Sequence, residues 1–380
     1  MLDRRAALFA ALAPWLGNAY QPSRSYRAAV IGHTGRGGYG HGWDTTWNRF
    51  PSVKVVAVAD PDDAGRKLAM ARSKAPAGYR DYREMLPKER PDLVTICPRW
   101  ADQRVDMVRA AAECGAHILM EKPFAQNLAD ADAMIEIAEA RKIKIQVGHT
   151  GRIMPVTRLA RELVNGGSLG QVLEARGRGK EDKRAGGEDL IVLGTHTFDL
   201  WRYLLGDPLW VFAHVSQKGA ELRSNMLRQA SEPVGKIGGD NIAAMFAFPG
   251  GIHAYFGSMA NDGPPSHRFG VTFYGSRGFV YVPLTAVPSA APYVLRDPGW
   301  VADRDGPRWE RIDYPANERF TTREDANHAM AADLLDAIEN GREPICNARD
   351  GRWAIEMVAG IYESQFARAP ASFPLRKRAA

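Results

Sequence analysis

Cysteine is scarce: Cys97, Cys114 and Cys346 are the only three in 380 residues. They cannot build a disulfide framework, and none stands in the CxxC or CxxH spacing of a structural zinc site, so no metal site is expected. A long apolar run is also missing. The N-terminal run Ala6 to Leu16 is too short to cross a bilayer and is broken by Pro14, so no membrane span is expected. Charge of one sign is nearly absent in excess: 50 Lys+Arg against 44 Asp+Glu leaves +6, without the dense basic stripe of a nucleic-acid surface. Repeats and low-complexity segments are absent too, which excludes solenoids and disordered tails. What is present, 45% hydrophobic and 25% charged residues, is the composition of a globular chain long enough for two cores.

Residues 1–25 read apart from the rest. Arg4-Arg5 precedes the apolar run and the polar stretch Gln21 to Arg24 follows it, an order similar to a twin-arginine export signal. That reading implies a periplasmic protein; the alternative is a frayed amphipathic helix on a cytoplasmic enzyme.

From Tyr26 onward, short apolar runs alternate with helical stretches. Ala28 to Ile31, Val53 to Ala59, Leu93 to Ile96, Ile118 to Met120 and Ile143 to Val147 read as strands buried on both faces. Val105, Val108 and Ala112 form one helical face; Leu128, Ala131, Ile135 and Ala138 form another behind an Asn127 cap. This alternation predicts an α/β fold, with a doubly wound parallel sheet of Rossmann type over residues 26–150. Residues 151–380 read as an α+β substrate and oligomerisation domain. Helices are expected at Pro155 to Val164 and Gly194 to Leu205. Strands are expected at Trp210 to Val215, Ile242 to Phe248, Ile252 to Gly257, Phe269 to Tyr274 and Gly278 to Val282, joined by turns such as Pro249-Gly250-Gly251 into a largely antiparallel open sheet. Pro283 to Asn317 reads as an excursion on the sheet edge, and helices return at Asp325 to Asn340 and Arg352 to Arg368.

The first strand runs into Gly32-His33-Thr34-Gly35-Arg36-Gly37-Gly38-Tyr39-Gly40. Glycines there let backbone N–H groups and a following helix N-terminus approach a pyrophosphate. Counted from Gly32, the GxGxxG pattern has Thr34 in its second slot; counted from Gly35 it matches fully but starts late. The second strand ends at Asp60, where a carboxylate can accept from both ribose hydroxyls and repel a 2′-phosphate, favouring NAD over NADP. The spacing from Gly32 exceeds the usual ~20 residues, with Trp43 to Phe50 read as an insertion.

Glu121-Lys122-Pro123 follows the Ile118 to Met120 strand. Together with the Gly32 loop, Asp60, Pro98, Arg152 with Pro155, and the segment Gly187 to Asp199, it resembles the glucose-fructose oxidoreductase, inositol dehydrogenase and rhizopine-catabolism (Gfo/Idh/MocA) family. His328, Asp336, Ile338 and Gly341 near the C-terminus also fit. The resemblance implies an NAD(P)-dependent oxidoreductase that binds its cofactor through Gly32, Thr34, Gly35, Arg36, Gly37, Asp60, Pro98, Glu121 and Lys122. It also implies a homodimer or homotetramer.

Oxidising a secondary alcohol needs a hydride acceptor, a base for the hydroxyl proton and positive charge at the developing alkoxide. Lys122 at a parallel strand's carboxyl end can supply the charge, aimed by Pro123. His196 matches the family's base. The acid that usually stands four residues earlier is replaced here by Val192, and Asp199, three residues later, can orient the ring if the helix is regular. Glu188 and Asp189, or Glu181 and Asp182, are the other carboxylates available. Pro98 to Gln103 and Gly148 to Arg152 also depart from the family pattern and should line the cleft. Trp100, Arg152, Lys180, Glu188 and His196 are the substrate candidates, with Trp43, Trp100 and Trp201 as sugar-stacking surfaces.

The leading expectation is hydride transfer between NAD and a secondary alcohol of a sugar, glycoside or cyclic polyol. One alternative is an NAD-retaining lyase or glycosidase that cleaves by transient oxidation. A second is a non-catalytic sugar- or nucleotide-binding relative.

Overall fold

The structure, a computed structural model, describes residues 20–261, 269–284, 291–296, 309–313 and 320–375. The export-signal reading rests on residues 1–19 and so lies outside the described residues. From residue 20 the chain is tied down, because Tyr20, Ser23 and Tyr26 all donate to the Glu339 carboxylate.

Six strands, β1 (Tyr26–Ile31), β2 (Val53–Ala59), β3 (Ala77–Tyr79), β4 (Leu93–Ile96), β5 (His117–Met120) and β6 (Ile145–Val147), form one parallel sheet in the order 3-2-1-4-5-6. Val94, Ile96, Ile118, Leu119 and Met120 are fully buried, which is why these runs carry no alternation. The strand order reverses direction between β1 and β4, opening a crevice at the carboxyl ends. Around the sheet lie α1 (Asp63–Ser73), α2 (Tyr82–Glu89), α3 (Arg104–Glu113) and α4 (Leu128–Ala140). Asn127 caps α4 by accepting from the Asp130 N–H at 2.9 Å.

Two expectations change here. Trp43 to Phe50 is no insertion: Trp43–Arg49 is itself the β1 to β2 crossover, wound as tight 3-10 turns behind a left-handed Gly42, with no side-chain cap. The glycine loop therefore does not lead into a long α-helix. Trp43 and Trp47 are too large to leave in water and lock this crossover into the core, Trp47 donating from Nε1 to Thr95 Oγ1 at 2.7 Å.

The second sheet is mixed and mostly antiparallel. It contains β7 (Val172–Arg178), β8 (Trp210–Gln217), β9 (Ala220–Glu221), β12 (Asn241–Phe248), β13 (Ile252–Met259), β14 (Gly270–Gly275), β15 (Gly278–Pro283), β16 (Tyr293–Leu295), β17 (Glu310–Arg311) and β18 (Ala371–Ser372). A separate ribbon pairs β10 (Arg228–Gln229) with β11 (Lys236–Ile237). Among the described residues only β7 with β13 runs parallel in the second sheet. Both expected hairpins are present, with Phe248 opposite Ile252 and Gly275 opposite Gly278. The described parts of the Pro283 to Asn317 excursion, β16 and β17, pair onto the sheet edge, and the rest lies outside the described residues.

Helices α5 (Pro155–Asn165), α6 (Thr195–Leu205), α7 (Arg323–Glu339) and α8 (Ala348–Ala367) complete the fold. The helical segment around His196 starts earlier than expected, at Gly187, and passes through a wide π turn at Leu190–Gly194 before α6. The domains are also less separate in sequence than a cut at residue 150 implies. Met330, Leu334, Leu335 and Cys346 belong to the first core, and the Val147 N–H donates to the Cys346 carbonyl at 2.8 Å.

Candidate active site

A cavity of about 700 Å³ opens beyond the carboxyl end of the parallel sheet, between it and the second domain. Lys122, His196, His41, Lys180, Arg184 and Arg323 all reach its wall.

Lys122 stands just past β5, with its peptide to Pro123 in the cis form. Its side chain is buried and Nζ donates to the Val192 carbonyl at 3.2 Å. Burial lowers its affinity for the proton below that of an ordinary lysine; Arg184 and Arg99 push the same way, while Glu121 and Glu232 resist. Glu121 is fully buried; its Oε2 accepts from the Lys122 N–H, and its Oε1 meets both the N–H and the ring Nδ1 of His41. Burial alone would raise its pKa, but His41, Lys122 and Arg104 outweigh that and hold it at about 2. This carboxylate thus clamps the glycine loop to the catalytic strand end. Gly40 makes the clamp possible: its φ is +60°, and a Cβ there would lie 2.6 Å from the Cys97 carbonyl oxygen.

His196 makes no hydrogen bond among the described residues. Burial, then the positive charges of Lys122, His149 and His41, keeps its pKa well below the ordinary histidine value. It is therefore a neutral ring, ready to accept a proton. Asp199 does not orient it. The Arg152 guanidinium takes both Asp199 oxygens at 2.9 and 2.8 Å, and adds Asp350 at 3.1 Å. That bidentate pair, buried and 47 residues apart in sequence, fixes the carboxylate more firmly than any neighbour on its own helix turn could. Arg152 is accordingly a structural cation and does not line the cavity. The residue beside His196 is His149, whose ring stands edge-on at 5.4 Å between centroids. His149 Nδ1 lies 3.7 Å from Cys346 Sγ and 3.9 Å from Asp199 Oδ1, and its Nε2 is buried without a partner. His149, Asp199 and Cys346 are close enough to ligate a cation. Arg152 already neutralises Asp199, and burial first, then Asp199, keeps Cys346 a thiol, so the cluster is suited to hydrogen bonding instead.

On the cofactor side, the Gly32 loop, Asp60, Pro98 and Glu121 do converge. Gly35 and Gly38 have φ of +84° and +56°, and a Cβ on either would meet nothing, so the outer face of the loop is open to a pyrophosphate. Asp60 is turned inward: Thr34 N and Oγ1, Tyr39 Oη and Asp62 N all donate to it, and it is fully buried. Ribose hydroxyls would have to displace Thr34 or Tyr39 to reach it. Arg36 is occupied as well, paired with Asp102 and stacked over Trp100 at 4.5 Å.

The remaining expectations divide. Lys180 and His196 line the cavity, as do Trp43 and the segment Gly148, Thr150 and Gly151. Trp100, under Arg36, is not on the wall, nor is any residue from Pro98 to Gln103. Glu188 turns to Ser231, accepting from its N–H and hydroxyl, because an ionised side chain at that depth needs donors. Trp201 is packed against Phe198 and Phe246 and presents no face to a sugar. Sequence reasoning missed His41, His149, Arg323 and Arg104. His149 was findable, since it follows the last parallel strand in the position that singled out Lys122. Arg104 carried no signal: it lies buried on α3 and donates to the carbonyls of Pro98 and Phe124, holding together the loops that follow β4 and β5.

Known proteins show the same architecture. Residues 26–149 match the profile described as "Oxidoreductase family, NAD-binding Rossmann fold", and residues 161–373 match "Oxidoreductase family, C-terminal alpha/beta domain". Myo-inositol 2-dehydrogenase of Thermotoga maritima is 24% identical over 79% of this chain and 85% of its own length. Dehydrogenase aclE of Aspergillus oryzae is 28% identical over 43% of this chain, so the match spans about half, 48%, of that relative. Among solved structures, a levoglucosan dehydrogenase in complex with NADH and levoglucosan superposes with a TM-score of 0.74 at 20% identity, over 92% of this chain and all of the other.

Proposed function

The chain belongs to the Gfo/Idh/MocA oxidoreductase family, an NAD-binding Rossmann domain joined to an α/β domain, and on that footing we propose that it oxidises a secondary alcohol of a sugar or cyclic polyol. The observation that carries the reading is a buried lysine and a neutral, half-buried histidine on one cavity wall at the carboxyl end of the sheet.

Bound NAD supplies the hydride acceptor. The open face of Gly32 to Gly38 would hold its pyrophosphate, the Thr34, Tyr39 and Asp60 group would flank the adenosine ribose, and Pro98 with Glu121-Lys122 would border the nicotinamide. Lys122 stabilises the oxygen as the O–H proton leaves. His196 takes that proton at its ring while the carbon's hydrogen departs with its electron pair and the C–O bond becomes C=O. His149, edge-on to the His196 ring at 5.4 Å between centroids, is read as taking over from the acid absent at Val192. It is a positioning residue, polarising the His196 ring from the side and backed by Asp199 and Cys346. The dinucleotide preference is for NAD, because Asp60 leaves no room or charge for a 2′-phosphate.

The chain is also proposed to self-associate. Phe212, Met245 and Tyr255 stand opposite one another across three strands, and Leu173, Phe212, Tyr255, Met259 and Tyr293 are exposed. So much apolar surface on the uncovered face of a sheet marks an interface.

The test is the growth of NADH absorbance on a panel of sugars and inositols. Lys122→Met is expected to lower turnover on the order of a hundredfold or more while NAD still binds. Undiminished turnover in that variant excludes the mechanism. Bond cleavage without net NADH would replace it with transient oxidation and elimination.

A further inference from the structure

The cavity wall is one-sided in charge. Among the described residues Lys122, Lys180, Arg184 and Arg323 reach it, and no aspartate or glutamate does. This is not for want of acids nearby. Glu121 is spent on His41 and the Lys122 N–H. Glu181 pairs with Arg178 and accepts from Met259 N at 3.1 Å. Glu188 holds Ser231, and Asp189 accepts from Ser258 Oγ at 2.6 Å and from the N–H groups of Lys180 and Glu181. Each is turned into protein. Asp182 meets Arg184 at 2.6 Å and Lys180 at 3.7 Å, and one carboxylate cannot neutralise both; Glu232, already paired with Arg99 at 3.0 Å, acts on Lys122 and Arg184 only through its field.

A neutral sugar gives such a wall no return for the water it displaces. Packing hydroxyls against Lys180, Arg184 and Arg323 would strip hydration from cations without supplying counter-charge. An anionic group on the substrate reverses the balance, since charge-assisted hydrogen bonds to carboxylate or phosphate are the strong ones. Lys180 and Arg323 keep solvent exposure, so they stand where an anion enters, while Lys122 is buried and His196 half-buried in the wall.

We infer that the substrate is an anionic sugar or polyol, a sugar acid or sugar phosphate. Its charged group is held by Lys180, Arg184 and Arg323 while a ring hydroxyl faces Lys122 and His196. This rests on the oxidoreductase reading above for the chemistry, but not for the binding.

The experiment pairs glucose with glucuronate, galactose with galacturonate, and glucose with glucose 6-phosphate. Each is measured twice on the full chain with NAD: NADH formation, and binding by calorimetry. The anionic member of at least one pair is expected to bind and react with kcat/KM higher on the order of tenfold to a hundredfold, the difference one charged hydrogen bond makes. Lys180→Gln and Arg323→Gln, both at exposed positions that tolerate change, should shrink that ratio, and added salt should shrink it too. Whether glucuronate or glucose 6-phosphate prevails distinguishes carboxylate from phosphate. Equal or better use of the neutral members, ratios unmoved by both variants, or no binding of any anionic member overturns the inference and leaves the oxidoreductase reading standing. Binding of anionic members without NADH formation supports the inference and overturns that reading.

Discussion

Lys122 and His196 are pushed the same way, toward their neutral forms, and for one shared reason: both lose hydration in a wall that already holds positive charge. Their roles differ in sign. His196 must be unprotonated to act as base, so activity is lost as pH falls through its lowered pKa. Lys122 must be protonated to stabilise the oxygen, so activity is lost as pH rises through its own lowered pKa. The plot of kcat/KM against pH should therefore be a bell shifted to the acid side, its limbs below the ordinary values of about 6.5 and about 10.4. His149→Phe keeps the ring's bulk but removes its nitrogens. It should cut kcat about tenfold to a hundredfold with KM for NAD unchanged, and move the acid limb. Limbs at the ordinary values, or a His149→Phe bell superimposable on wild type, would remove these residues from the mechanism. Val192 and Asp199 show what residue spacing can and cannot say. The missing acid was legible from sequence, but its replacement was not, because His149 reaches His196 across the fold and Asp199 is claimed by an arginine 47 residues away.

At the scale of elements, what sequence revealed were strands whose burial on both faces leaves an unbroken apolar run, and helices with an apolar stripe. It missed β7, because Glu174, Arg176 and Arg178 give that central strand a charged side while Ala175 is buried on the other. It missed α1, where only Ala69 and Ser73 are buried and no stripe exists. The loops after β4 and β5 are held together by an equally unannounced device. Arg104 is buried, its pKa lowered to about 10 by that burial, and it makes no ion pair among the described residues. It spends its donors on three carbonyls, Pro98 O at 2.8 Å, Phe124 O at 3.3 Å and, more weakly, Arg99 O at 3.4 Å. Arg104→Met fills much the same space but takes the donor from these carbonyls, at about 1–3 kcal/mol for each left unsatisfied. A melting temperature lower by several degrees is expected, together with weaker NAD binding, since the Lys122 loop loses its tether. A variant that melts like wild type would mean that Arg104 holds neither loop.

At the scale of the whole molecule, the two domains are laced together by chain that leaves one core and returns to it. This is why a cut near residue 150 does not separate the two cores. Helix α8 packs on both α4 and β8 and so braces one domain against the other. Among the described residues, helices cover the second sheet on one face only. Its bare face carries a cross-strand row from Phe212 through Met245 to Tyr255 and Arg176, continuing to Thr272, Tyr281 and Tyr293. Strand registers fix that row, so it is continuous and repeated identically in every copy, which suits a self-complementary two-fold contact. Sedimentation equilibrium should show a dimer or tetramer. Tyr255→Glu should shift it toward monomer, because a buried unpaired carboxylate at the centre of an interface is costly while the same residue is harmless on an exposed strand. The substitution lies on the face opposite the helices, away from Lys122 and His196, so the monomer it produces should keep its fold by circular dichroism. A wild-type monomer at micromolar concentration, or a Tyr255→Glu oligomer as tight as wild type, would assign the apolar row to some other purpose.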